Sequence, residues 1–185
     1  RGRILAYGPR ERMIRVSELK EIPEGAWALK GERGLTYSAR VPEGSTVTSG
    51  RWWQNGYNGE PLVSLDEKFA QTVGLKVGDY VTVGVLGVER TAKVATLRRI
   101  DWDTFGFNFV LVFSPNALAD APHNLAATIE VPPGKATAKL LPDLARAFPS
   151  SSVIETGTLL RQARDLLDQM TLAILAAASV AVLAG

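Results

Sequence analysis

The stretch YVTVGVLGVERTAKVATLRRI, residues 80–100, decides the fold. Tyr80 to Leu86 reads as one strand, Gly87 turns the chain, and Val88 to Ile100 is a second, longer strand. Val and Thr recur through both arms, and β-branched side chains suit a pleated, half-buried surface, so the segment is a hairpin. The turn Leu75-Lys76-Val77-Gly78-Asp79 leads into it. Beyond it lie Asp101-Trp102-Asp103 and then Phe107 to Phe113, whose nearly unbroken apolar run predicts a buried strand. Ser114-Pro115 opens one turn of helix with Pro at its first position. On the upstream side, Leu62 and Val63 are a brief extended pair. Ser64 and Glu67 have capping-box spacing, which predicts a short helix over about Leu65 to Val73 closed by Gly74.

Further out, Arg3 to Tyr7 and Met13 to Val16 read as strands around the turn Gly8-Pro9-Arg10, and Ala26 to Leu29 as a short helix or turn. Leu35 to Val41 alternates enough for a strand, Pro42-Glu43-Gly44 is a turn, and Thr46 to Thr48 is extended. A loop from Gly50 to Gly59 carries Trp52 and Trp53. Towards the C-terminus, Ala126 to Val131 reads as a strand and Pro132-Pro133-Gly134 as a break. Ala136 to Phe148 is a helix with Leu140, Leu141, Leu144 and Phe148 on one face. Pro142 either starts that helix or kinks it. Val153 to Glu155 is a short strand, and Thr158 caps a long final helix. The texture changes at Pro61 and again near Ala126. The expected organisation is therefore α+β, with residues 1–60 and 125–169 in one discontinuous α/β lobe and residues 61–124 as an inserted β-rich lobe.

Residues 170–185, MTLAILAAASVAVLAG, are free of charge. They continue the amphipathic stretch before them, as the start of a transmembrane helix would; a full span needs roughly 20 apolar residues. The alternative is an Ala-rich core helix, but the tail has no polar face at helical period. The chain opens on Arg1-Gly2-Arg3 without an initiator Met, so both ends look excised from a longer membrane protein.

Composition narrows the function. At 185 residues the chain can form one domain or two small interleaved lobes. It has no fixed-period repeat. Acidic and basic residues are interspersed, and the net charge of +2 gives no electrostatic case for nucleic acid. The absence of Cys excludes a disulfide framework and a thiolate metal site, and a single His, His123, excludes a multi-histidine metal centre. No metal, cofactor or catalytic residue is expected. There is no Walker motif, so any ATP hydrolysis belongs to another polypeptide.

Particular residues carry a family resemblance. The phrase PLVSLDEKFAQTVGLKVGD from Pro61, then LRRIDWD from Leu97 and NFVLVFSP from Asn108, resembles the first periplasmic domain of YbbP-type ABC transporter permeases, in the MacB/FtsX/LolC-like group. The likeness extends to Arg1-Gly-Arg-Ile, Trp52-Trp53, Phe148-Pro149, Val153-Ile154 and Asp168-Gln169-Met170. It implies a domain between the first two membrane helices of a permease subunit, facing the periplasm at the bacterial inner membrane and working with a cytoplasmic ATPase subunit. The two expected lobes would correspond to a porter-like and a sabre-like lobe. The resemblance further implies mechanotransmission, in which cytoplasmic ATP energy moves periplasmic domains, and either a lipid-like or hydrophobic substrate or a periplasmic hydrolase as partner. An alternative within the group is a membrane-tethered domain that activates a periplasmic hydrolase.

Leu159, Leu160, Ala163, Leu166, Leu167 and Met170 line one face of the final helix. That face can pack on the lobe while the helix enters the membrane, so it is the expected coupling element; a passive tether would show the same pattern. Trp52, Trp53 and Trp102 are the candidate ligand or partner contacts. In an extended segment Trp52 and Trp53 point to opposite faces, so at most one of them is naturally a core residue, and the other is available for contact or for covering a loop. Asp101 and Asp103 beside Arg98 and Arg99 read as a salt-bridged turn, His123 as structural, and Ser64 as a helix cap.

Overall fold

The computed structural model describes residues 1–102, 107–129, 131, 139–153, 167–171 and 174. It is a mixed α+β structure dominated by one large sheet, with few helices. The chain divides into two compact units, Arg1–Thr128 and Ile129–Gly185.

The first unit is built on the predicted hairpin. Its arms are β6 (Tyr80–Val85) and β7 (Val88–Ile100). Leu86 and Gly87 between them both have positive φ, 49° and 84°, the backbone of a two-residue type I′ turn that matches the twist of the arms. The 13-residue β7 is the axis of the sheet. Along one edge it pairs antiparallel first with β6 and then, past Thr96, with β4 (Ser45–Gly50). Along the other it pairs in parallel with β5 (Leu62–Asp66). The main strand order is β2-β1-β6-β7-β5-β8-β3, where β1 is Arg3–Gly8, β2 Ile14–Arg15, β3 Thr36–Tyr37 and β8 Leu111–Phe113. A two-bond bridge, Gly2 N–H to Arg33 O at 2.9 Å and Arg33 N–H to Gly2 O at 2.7 Å, brings the segment before β3 back against the start of β1, so the sheet curls towards closure.

Alternation decides what is inside. In β7 the side chains of Ala92, Val94, Thr96, Arg98 and Ile100 are buried while those between them are less so, as a period of two requires. Of these, Ala92 and Val94 join Val63 and Leu65 of β5, Val81 and Val83 of β6, and Leu111 and Phe113 of β8 in one core cluster. Each large apolar side chain buried in this way contributes roughly 1.5–3 kcal/mol. Helix α1 (Glu67–Val73) closes over the core with Phe69 and Ala70. Pro115 begins the single-turn α2 (Pro115–Leu118) as expected.

Several expectations need correction. Ser64 is not a cap: β5 continues through it, and its buried hydroxyl accepts a 2.6 Å hydrogen bond from Thr96. The cap is Asp66, whose Oδ1 accepts from the Phe69 N–H at 2.8 Å, and Gly74 closes the helix in the left-handed region. The expected strand from Leu35 to Val41 shrinks to Thr36–Tyr37, because the indoles of Trp53 and Trp52 take the carbonyls of Ser38 and Ala39 that a strand partner would use. The buried run from Phe107 yields only Leu111–Phe113, and Phe107 itself is exposed. Residues 126–129 are in no strand. Nor does Pro61 separate two sheets, since β1 and β4 from before it pair with β6 and β7 from after it. The placement of residues 125–169 in a porter-like lobe rests largely on positions outside the described residues.

In the second unit α3 is Leu140–Ala147, with Pro142 in its first turn, where a missing N–H leaves no helical bond unmade. Residues 167–171 and 174 are helical. The expected strand Val153 to Glu155, the cap Thr158 and most of the tail lie outside the described residues. Among the described residues no helix is long and apolar enough to cross a membrane.

Candidate functional site

The four tryptophans fall into two pairs with different chemistry. Trp52 and Trp53 do not diverge to opposite faces; their rings stack at 4.1 Å with a 29° interplanar angle. Gly50, with φ of 78°, bends the chain off β4 and makes this possible. Trp53 is buried and Trp52 half-buried, and their indole N–H groups donate to Ser38 O at 2.8 Å and Ala39 O at 3.2 Å. Their polar edges are consumed by the fold.

Trp102 is different. It follows the end of β7, is 47% exposed, and meets the ring of Trp27 edge-on at 6.3 Å and 69°. Trp27 opens a single 3₁₀ turn, Trp27–Leu29, in which Ala28 and Leu29 face the core, and it too is 47% exposed. Arg33 holds it in place: Nη2 donates to the carbonyls of Trp27 and Lys30, both at 2.6 Å, and the guanidinium carbon lies 5.0 Å from the Trp27 ring centre. Neither indole N–H of this pair has a protein acceptor among the described residues. The pair presents aromatic faces, two available donors and a fixed cation at one surface, a combination suited to an amphipathic ligand or partner. The register of β4 sets Ser45 beside Ile100 and Gly50 beside Thr96. The structure therefore places Trp102 and the Trp52–Trp53 stack beyond opposite ends of β4. Sequence reading missed Trp27, because only the tertiary fold brings it to Trp102.

Trp102 also borders a cleft of about 120 Å³ lined by Asp66, Glu67, Lys68, Arg99 and Ile100. Arg98 is buried. The parity of β7 turns it inward, where its guanidinium donates to the carbonyls of Phe109 and Val110 and, at 3.4 Å, to Ser45 Oγ. Burial pushes its pKa down to about 10, against the opposing pull of Asp66. It therefore ties the segment after residue 106 to β7 and is no part of an exposed salt-bridged turn. Asp101 anchors its side of the turn through the backbone, N–H to Gly44 O at 2.8 Å and carbonyl to Asn108 Nδ2 at 3.1 Å. Asp103 lies outside the described residues.

His123 donates from Nδ1 to Ala121 O at 2.8 Å, which leaves Nε2 to accept from the Tyr37 hydroxyl at 3.0 Å. Both ring nitrogens thus bind residues of the fold. Among the described residues no group of three His, Cys, Asp or Glu is placed to hold a metal. Of the coupling-face residues, Leu159, Leu160, Ala163 and Leu166 lie outside the described residues. Leu167 and Met170 are helical and exposed.

The sequence aligns over 135 residues, at 30% identity, with the uncharacterised ABC transporter permease YbbP of Escherichia coli (strain K12). The alignment covers 73% of this chain and 16% of that protein, so the chain spans about one-sixth of the relative's length. No family model matches the sequence, and no solved structure matches it. The chain is thus similar to one part of an ABC transporter permease.

Proposed function

We propose that this chain is a periplasmic domain of an ABC transporter permease subunit at the bacterial inner membrane, working with an ATPase subunit on the cytoplasmic side. The alignment with a permease carries the reading. The domain itself is non-enzymatic and transmits movement: hydrolysis on the partner subunit shifts the membrane helices, and the final helix, through the face from Leu159 to Met170, moves the folded sheet. The surface of Trp27 and Trp102 meets a lipid-like or hydrophobic substrate or a periplasmic partner, a use favoured by its half-exposed rings and unclaimed indole donors.

The test is reconstitution of the full-length permease with its ATPase in lipid vesicles, with ATP hydrolysis and release of a fluorescent lipid measured together. Inserting two glycines between Gln169 and Met170, at roughly 1 kcal/mol of helix propensity each, should abolish lipid release while ATP hydrolysis continues. Changing Trp27 and Trp102 together to Ala should reduce lipid release without unfolding the sheet. Lipid release at the unmodified rate in the glycine variant would reduce the helix to a tether and overturn the coupling.

A further inference from the structure

The cleft that Trp102 borders lies between the start of α1 and the end of β7. Asp66, Glu67 and Lys68 line it from the β5–α1 junction, and Arg99, Ile100 and Trp102 from the end of β7. Two acidic and two basic side chains thus share about 120 Å³, yet among the described residues none of the four is in an ion pair. Asp66 is the informative one, because it is only 7% exposed and still lines the cleft. Its Oδ1 is taken by the Phe69 N–H, whereas Oδ2 has no hydrogen-bond partner among the described residues. Arg98, its register partner on β7, donates instead to the carbonyls of Phe109 and Val110 and to Ser45. A nearly buried carboxylate with an unmatched oxygen calls for a donor, and a cationic donor satisfies it best.

The lining sets the charge and the size of what fits. A purely anionic ligand would meet Asp66 and Glu67, and a purely cationic one Lys68 and Arg99, so a molecule carrying both signs is complementary where a simple ion is not. The volume is well below that of a pocket for a whole drug-sized molecule and suits a headgroup of a few heavy atoms. We infer that this cleft binds an ammonium–phosphate zwitterion, either as the headgroup of an amino-alcohol phospholipid or as the free phosphate ester. The primary ammonium donates to Asp66 Oδ2 and the Glu67 carboxylate beside the Trp102 ring. The phosphate takes Arg99 and Lys68, with the indole N–H of Trp102 as a further donor, a set that suits its several oxygens. A quaternary ammonium has no N–H and leaves Oδ2 unmatched, so the site distinguishes ethanolamine from choline. From the rim of the cleft the edge contact of Trp102 with Trp27 leads onto the half-exposed aromatic surface, where the apolar part of a lipid would lie. The inference rests on the reading of that surface as the contact for a lipid-like substrate and adds the headgroup.

Glycerophosphoethanolamine and glycerophosphocholine, each titrated into the 185-residue chain and followed by the indole N–H signal of Trp102 in two-dimensional NMR, test it. Trp102→Phe assigns the signal. The ethanolamine probe should bind about tenfold more tightly, the worth of one hydrogen bond to a charged group. Asp66→Asn keeps an oxygen for the cap of α1 and should lose that preference with an unchanged circular dichroism spectrum. Arg99→Gln, at an exposed position, should weaken both probes alike and keep their ratio. Phosphatidylcholine vesicles with and without phosphatidylethanolamine separate the two sources. Tighter binding to the mixed vesicles assigns the lipid; equal binding, with the soluble preference intact, assigns the free ester and leaves the cleft standing without a lipid. Equal affinity for the two soluble probes, no binding of either, or a preference that survives Asp66→Asn would overturn the cleft assignment. The permease reading would survive that failure, because lipid release coupled to ATP hydrolysis tests it separately.

Discussion

Arg98 shows most clearly how a residue's meaning depends on its surroundings. Burial lowers its folded pKa to about 10, so its charge is disfavoured by the fold throughout the pH range below 10. That penalty is relieved only as pH rises above about 10, so neutral-pH stability bears it in full. Its hydrogen bonds to Phe109 O, Val110 O and Ser45 offset the penalty. Arg98→Ala should lower unfolding stability by about 3 kcal/mol in urea titrations, from a cavity and an unpaired carbonyl together. Arg98→Lys should recover only part of this, because an ammonium lacks the fork that spans two carbonyls. Asp120 obeys the opposite sign. The two-pronged bond from Arg90, at 2.7 and 2.9 Å, holds its pKa below the ordinary 3.8. The stability it lends is present above 3.8 and is lost as pH falls through the lower folded value. Asp120→Asn should therefore unfold at lower urea than the parent at neutral pH, and the difference should vanish well below pH 3.8.

Among the elements, the hairpin of β6 and β7 joins a strong strand pattern to an unfavourable turn residue. Leu86 is 73% exposed and sits at φ of 49°, where a side chain branched at Cγ gains nothing from packing and little from its backbone. Asn before Gly is the preferred pair for this turn. Leu86→Asn should raise stability by about 0.5–1 kcal/mol, read as a higher thermal midpoint with an unchanged circular dichroism spectrum. A lower midpoint would show that the Leu86 side chain supports the fold through a contact. The same strand pair explains the error at Ser64. Capping-box spacing is a local pattern, but the parallel ladder from β5 to β7 extends through Ser64 and Asp66, so the helix starts later and uses the next available carboxylate.

At the scale of the molecule, every member of the core cluster among the described residues, from Ile4 to Ala121, belongs to the unit Arg1–Thr128. The bridge between Gly2 and Arg33 closes the sheet within that unit. A chain ending at Thr128 should therefore unfold cooperatively with the thermal midpoint of the sheet in the longer chain, as followed by near-ultraviolet circular dichroism of Trp53. Loss of the cooperative transition would mean that residues after Thr128 complete the core.

Periodicity and local turn chemistry were legible in the sequence: the hairpin at residues 80–100, the helix closed by Gly74, the turn at Pro42 to Gly44 and the Pro-led turn at Pro115. Each depends on side chains within a few positions of one another, and a one-dimensional reading contains those. What joins distant segments was not legible. The pairing of β1 with β6 across Pro61, the inward turn of Arg98, the stacking of Trp52 on Trp53 and the meeting of Trp27 with Trp102 depend on which edge a strand finds and which parity it then adopts. Strand register has a period of two, so one residue of slip exchanges inside for outside. Only the closed sheet, burying one face and satisfying its backbone groups, decides between them.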